Sequence, residues 1–197
     1  MPAMLAVPAI AAPAPASGSL AAVQQHLSAV DTMTADFTQT DRNGKVLTGE
    51  MTLEKPGKIR FQYEKGVPLL LVSNGKTLYF IDYSVRDVQP YPIKDSPLSI
   101  LLDPSRDASK YAKIVPSGDP RVVSVEAYDP NNPQYGRITL IFAKKPSAPG
   151  GLMLQGWVAL DSQNNRTTIR LSDQKFNVPV SDNMFRFNDP RRSGRPN

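Results

Sequence analysis

The feature that most constrains this chain is an apolar–polar alternation of period two, broken again and again by turn residues. Met33, Ala35, Phe37 and Gln39 alternate with Thr34, Asp36, Thr38 and Thr40. Arg42-Asn43-Gly44-Lys45 then reads as a hairpin turn, because Asn-Gly reaches positive φ at little cost. The return strand sets Leu47, Gly49, Met51 and Leu53 on one face and Thr48, Glu50, Thr52 and Glu54 on the other. Lys55-Pro56-Gly57 turns the chain, after which Ile59, Phe61 and Tyr63 alternate with Lys58, Arg60 and Gln62. Leu69 to Ser73 reads as a buried strand and Ser73-Asn74-Gly75-Lys76 as a further tight turn, with Thr77 to Tyr83 and Arg86 to Tyr91 continuing the meander. Short strands joined directly by turn chemistry predict an antiparallel sheet and exclude a βαβ fold.

Two segments break the strand period. Leu20, Val23, Leu27 and Val30 fall at helical spacing, predicting a helix over residues 19–30 capped by Ser17 or Ser19. His26 lies off that stripe and is expected at the surface. In Ser96-Pro97-Leu98-Ser99-Ile100-Leu101-Leu102, Ser96 suits the cap and Pro97 the first helical position, with Leu98, Leu101 and Leu102 on one face before Asp103-Pro104 ends the helix. A helix this short must pack against something else to persist. Strands are expected again at about 110–116, 121–127, 136–143, 152–160 and 166–173, where Ile138, Leu140 and Phe142 alternate cleanly. The expectation is a mainly β fold with helices, about eleven strands in one domain over residues 18–190.

The ends differ in character. Residues 1–17 carry no charge and close on Ala14-Pro15-Ala16, as in a signal-peptide remnant with its small-residue cleavage site; a disordered Ala/Pro leader is the alternative. Residues 191–197 form a basic tail with Arg191, Arg192 and Arg195, and subtracting those three from the formal +5 leaves +2 for the rest. The body shows no basic stripe interleaved with exposed aromatics, so no nucleic-acid partner is expected. Cysteine is absent, which excludes disulfides, thiolate metal sites, a Cys nucleophile and a lipidated N-terminal Cys. No run reaches the ~18 apolar residues of a membrane-spanning helix.

Motifs of catalysis are missing too. There is no Gly-x-Ser-x-Gly, no phosphate loop, no dinucleotide fingerprint, and His26 is the single histidine. Asp82, Asp87, Asp95 and Asp103 read as solvated loop carboxylates. No enzyme activity, cofactor or metal is expected. Two outcomes stay open on the pattern: helices that plug the sheet as an ordinary core, or a partial barrel with the helices as a lid over an apolar cavity.

Four blocks, in order, carry a resemblance. These are Asp36-Phe37-Thr38-Gln39 followed by Gly49-Glu50-Met51-Thr52-Leu53-Glu54-Lys55-Pro56-Gly57-Lys58-Ile59-Arg60-Phe61-Gln62-Tyr63; Leu71-Val72-Ser73-Asn74-Gly75-Lys76-Thr77-Leu78-Tyr79-Phe80; Pro97 to Leu102; and Met184-Phe185-Arg186-Phe187-Asn188-Asp189-Pro190. Together they resemble the outer-membrane lipoprotein carrier family, LolA, from about residue 19 to 190. The resemblance implies an unclosed eleven-stranded antiparallel β-barrel with an α-helical lid. It also implies a periplasmic carrier that takes acylated lipoproteins from an inner-membrane release complex to an outer-membrane receptor. A periplasmic carrier of free lipid or glycolipid with the same half-barrel is the alternative. The cavity lining is then expected from Phe37, Met51, Leu53, Phe61, Leu78 and Phe80 on strands, with Leu98 and Leu101 from the lid. Many relatives place a lid-holding arginine before the strand-end proline. Lys55 stands there, either as a weaker latch, since lysine lacks the planar five-donor fork, or as a solvated lysine.

Overall fold

The computed structural model describes residues 19–95, 98–103 and 110–192. The leader, Ser96, Pro97, Pro104 and residues 193–197 lie outside the described residues. Eleven strands follow the helix α1 (Leu20–Ala29): β1 (Thr32–Thr40), β2 (Val46–Glu54), β3 (Lys58–Tyr63), β4 (Leu69–Asn74), β5 (Thr77–Asp82), β6 (Asp87–Pro92), β7 (Ala112–Val115), β8 (Val122–Tyr128), β9 (Arg137–Lys144), β10 (Leu152–Leu160) and β11 (Arg166–Phe176). A second helix, α2 (Ser99–Leu102), lies between β6 and β7.

All eleven strands form one antiparallel sheet in the order β6-β5-β4-β3-β2-β1-β11-β10-β9-β8-β7. Pairing of β1 with β11 fuses two meanders, so the edges are β6 and β7, which are consecutive in sequence. Strand twist curls so wide a sheet on itself, yet β6 and β7 do not pair. In sequence α2 falls between these two edge strands.

The inner face carries the period-two residues. Ala35 pairs with Met51 and Met51 with Phe61 across three strands, all buried. Leu140, Phe142, Leu152 and Leu154 supply the opposite wall. A smaller core lies on the other side of the sheet, where Leu70, Val72, Ile81 and Val88 are covered by Phe185, Val180 and Phe187 of the C-terminal segment. That second cover explains the unbroken apolar run Leu69–Val72: this strand is buried on both faces. Arg60 fixes the covering segment by donating to the carbonyls of Met184 (3.0 Å) and Arg186 (3.1 Å).

In α1 the Ser19 hydroxyl accepts from the amide of Ala22 at 3.2 Å, and Val23, Leu27 and Val30 are buried. His26 departs from its expected surface position: only 2% of it is exposed. The reason is a turn over residues 149–151 that closes on the flank of α1 away from the stripe. Gly150 sits there at φ +65, where a methyl group would come within 2.8 Å of the His26 backbone.

Candidate apolar binding site

The interior is built from both halves of the meander. Phe37, Met51, Leu53, Phe61 and Leu101 are buried in the main cluster, and Leu78 and Leu98 pack against it half-buried. Phe80 is half-buried on the same face, opposite Leu71. Aromatic rings bridge the space edge to face: Phe37 to Phe61 at 5.1 Å, Phe37 to Tyr63 at 5.2 Å, and Phe61 to Trp157 at 5.9 Å. Tyr63 is the polar exception; its hydroxyl donates to Gln39 Oε1 at 2.8 Å, and burial pushes its pKa up to about 12.

Sequence reasoning missed the wall contributed by β8 to β11, although the alternation of Ile138, Leu140 and Phe142 signalled it. Trp157 was harder to find. Strict period two puts it on the face opposite Leu154, but the register shifts between Leu154 and Gly156. This bulge turns Leu154 and Trp157 to the same interior, and both are buried. Gly156 is the signal: a methyl there would lie 2.0 Å from the carbonyl oxygen of Ile169.

Of the two outcomes the pattern left open, the structure shows features of both. The centre is packed, while a cavity of about 280 Å³ is lined by Leu98, Ile138, Trp157 and Ala159 together with the polar Tyr135, Asp161 and Thr167. A hollow of about 530 Å³ elsewhere is lined by the exposed Asp36, Glu50, Gln62 and Glu64, an unsuitable surface for apolar matter. The turn carboxylates hold their own loops: Asp82 Oδ1 accepts from the Ser84 amide at 2.9 Å, and Asp87 from Gln89 at 2.7 Å.

All four residues of α2 are buried, so both of its flanks are covered. Its last carbonyl, on Leu102, accepts from the Gly57 amide at 2.9 Å, tying α2 to the β2–β3 turn. Lys55, in the same turn, reaches the other helix: its ammonium donates to the carbonyl of Leu27 in the last turn of α1. Burial lowers the Lys55 pKa to about 8, partly countered by Asp31. Lys55 is therefore a partly buried helix contact and not a solvated strand end. One residue before Leu27, His26 donates from Nδ1 to the carbonyl of Pro149 at 2.7 Å, its ring standing edge-on to Phe142 and Phe176. Burial depresses its basicity, the Pro149 bond opposes this, and the Lys55 charge adds to the depression.

An antiparallel sheet curled round an apolar interior, unclosed between its two edge strands and with a short helix packed into that interior, defines the class of open half-barrels. The profile described as outer membrane lipoprotein carrier protein LolA matches residues 28–188, and the chain belongs to that family. The outer-membrane lipoprotein carrier protein of Chromobacterium violaceum is 29% identical, covering 92% of this chain and 88% of its own. Its counterpart from Actinobacillus succinogenes is 26% identical over 93% and 88%. Among solved structures, a LolA superfamily protein from Nitrosomonas europaea aligns with a TM-score of 0.46 at 9% identity, covering 87% of this chain and 99% of its own. An uncharacterized conserved protein from Thermus thermophilus gives 0.49 at 11%, over 85% and 92%. No helix among the described residues is long and apolar enough to cross a membrane.

Proposed function

We propose that this protein is a periplasmic, non-enzymatic carrier that shelters the acyl chains of lipoproteins between an inner-membrane release complex and an outer-membrane receptor. The observation that carries this reading is an apolar interior whose two edge strands stay unpaired, with a short helix buried against that interior. Acyl chains need such shelter because each CH₂ moved out of water is worth about 0.8 kcal/mol. An interior of Phe, Leu, Met and Val surfaces binds them without directional contacts, so chain identity matters little.

Release requires that binding stay moderate. In the closed state Phe37, Met51, Leu53, Phe61, Leu78, Phe80, Leu98 and Leu101 satisfy one another; as cavity lining they exchange those contacts for lipid when the helices swing out. Packing in the empty state thus competes with cargo and reduces apparent affinity by the fraction of open molecules. Lys55 acts as the latch on α1, with one flexible ammonium where a guanidinium fork would bind more rigidly.

Native mass spectrometry of the protein purified from periplasmic extract tests this. A co-purifying acylated protein supports the carrier reading. Bare phospholipid or glycolipid would move the function to free-lipid transport. Empty protein that stays empty after incubation with acylated lipoprotein and the release machinery would sink both.

A further inference from the structure

The two halves of the sheet differ on their outer face. Across β4 to β6 the outward apolar residues lie buried under Phe185 and its neighbours, whereas across β7 to β10 a second apolar set is only half-buried. Its positions follow from the pairing. Leu140 and Phe142 point into the core, so Ile141 between them points out. The register aligns Val115, Ser124, Ile141, Gly156 and Arg170 in one row over five strands. A neighbouring row holds Val122, Ala143 and Met153, with Lys145 Nζ 3.6 Å from Met153 Sδ. On the other side of Ile141, Leu160 pairs with both Arg137 and Arg166.

The charge on this face is one-sided. Glu126 is the only acid within β7 to β10, and Lys113 and Arg137 share it at 3.1 and 3.7 Å. Lys145, Arg166 and Arg170 are exposed, and no carboxylate among the described residues pairs with them. Asp173 on β11 and Asp36 on β1 bound the basic area beyond Arg170. At its centre stand small and aliphatic side chains, with no aromatic ring of the kind that anchors a protein partner; Tyr128, at one edge, lies under Arg137. A lipid surface needs no such anchor. Cations meet its phosphates without a set geometry, and half-exposed aliphatic groups rest against the interfacial layer. Each basic residue near an anionic leaflet raises partitioning by roughly fivefold, so three give an attachment that is reversible.

We propose that the outer face of β7 to β11 docks this protein on an anionic phospholipid surface, with Lys145, Arg166 and Arg170 against headgroup phosphates and Ile141, Met153 and Val158 toward the interfacial layer. This face is the back of the wall whose front lines the apolar interior. Docking therefore goes beyond the carrier reading and does not depend on it.

The test sediments the full chain with vesicles of mixed phosphatidylglycerol and phosphatidylcholine, and with vesicles of phosphatidylcholine alone. The chain should bind the anionic vesicles in preference to the neutral ones, and binding should fall as salt is added. Arg166→Glu combined with Arg170→Glu, both at exposed positions, should weaken that binding by roughly tenfold or more. The thermal midpoint and the uptake of a synthetic acylated peptide should stay at the parent's values. Equal binding to both kinds of vesicle, no binding to either, or binding undiminished by the double variant would overturn the proposal. Loss that follows reversal of Arg191 and Arg192 alone would assign the attachment to the basic tail, with the same consequence. A chain that ignores vesicles but loses binding to the purified outer-membrane receptor when Arg166 and Arg170 are reversed would make this face a protein interface and also overturn lipid docking. Vesicle binding without peptide uptake would remove the carrier reading and leave the docking face standing.

Discussion

Phe61 of β3 and Trp157 of β10 meet edge to face with ring centroids 5.9 Å apart, although β2, β1 and β11 lie between their strands in the sheet. Only a sheet curled on itself brings those positions together, so this contact measures closure of the interior. Phe61→Ala should remove it and leave a void that the surrounding walls fill only in part. The expected cost is roughly 3–5 kcal/mol in chemical unfolding. Trp157 emission should shift to longer wavelength in the folded variant as water gains access to the indole. A folded variant with unchanged emission would mean that the two walls do not depend on each other.

Lys55 sits between two opposing demands. Its ammonium satisfies the Leu27 carbonyl, yet burial makes the charged form costly. Lys55→Met keeps the apolar stem and removes both effects, so global stability should change by less than about 1–2 kcal/mol. Amide exchange in the last turn of α1 should nevertheless accelerate, because that turn loses its anchor to the β2–β3 turn. Exchange rates indistinguishable from the parent would refute a latch.

The same lysine gives a pH signature. The unfolded chain holds this proton up to about 10.5, the folded protein only to about 8. Between those values the unfolded state binds more protons, so this group makes stability rise with pH across the window. A titration of the Lys55 side-chain carbon resonances should show a midpoint near 8, and Lys55→Met should remove this part of the alkaline rise. His26 works in the acid range by the same sign. Its folded pKa lies below the ordinary 6.5, so the stability it confers is complete above 6.5 and is lost as pH falls through the folded value. Thermal unfolding at pH 5 and pH 7 should separate more in the parent than in His26→Gln, which keeps a donor for the Pro149 carbonyl and does not titrate.

Most of the sheet was legible because one buried face and one wet face impose period two, as in Met33, Ala35 and Phe37. The illegible parts have physical causes. His26 is buried by a turn more than a hundred residues away in sequence, which no helical wheel reveals. Trp157 faces inward because one bulge shifts the count by a residue. In β11, Asp173 at φ 51 accompanies the irregular register opposite β1, and the strand runs on to Phe176, beyond the expected end at 173. The lining residues expected from the sequence came almost wholly from β1 to β5 and α2, since turn signals are denser there. The opposite wall waited on the topology that brings β11 against β1.

The C-terminal segment makes the last prediction, because it covers a face that would otherwise expose Leu70, Val72, Ile81 and Val88. Phe185 is the buried anchor of that cover, with the Lys58 ammonium 5.5 Å from its ring centroid and Lys58 also paired with Asp182 at 2.6 Å. The ion pair involves the mostly exposed Asp182 side chain, so Asp182→Asn should change stability little and the change should shrink further with salt. Phe185→Ala removes a buried ring and should cost about 3 kcal/mol or more. The two variants together separate packing from charge: if Asp182→Asn proved the more damaging in denaturant melts, the segment would be held electrostatically. With the anchor gone, the uncovered strands offer a contiguous apolar surface, and Phe185→Ala should self-associate at concentrations where the parent remains monodisperse by light scattering.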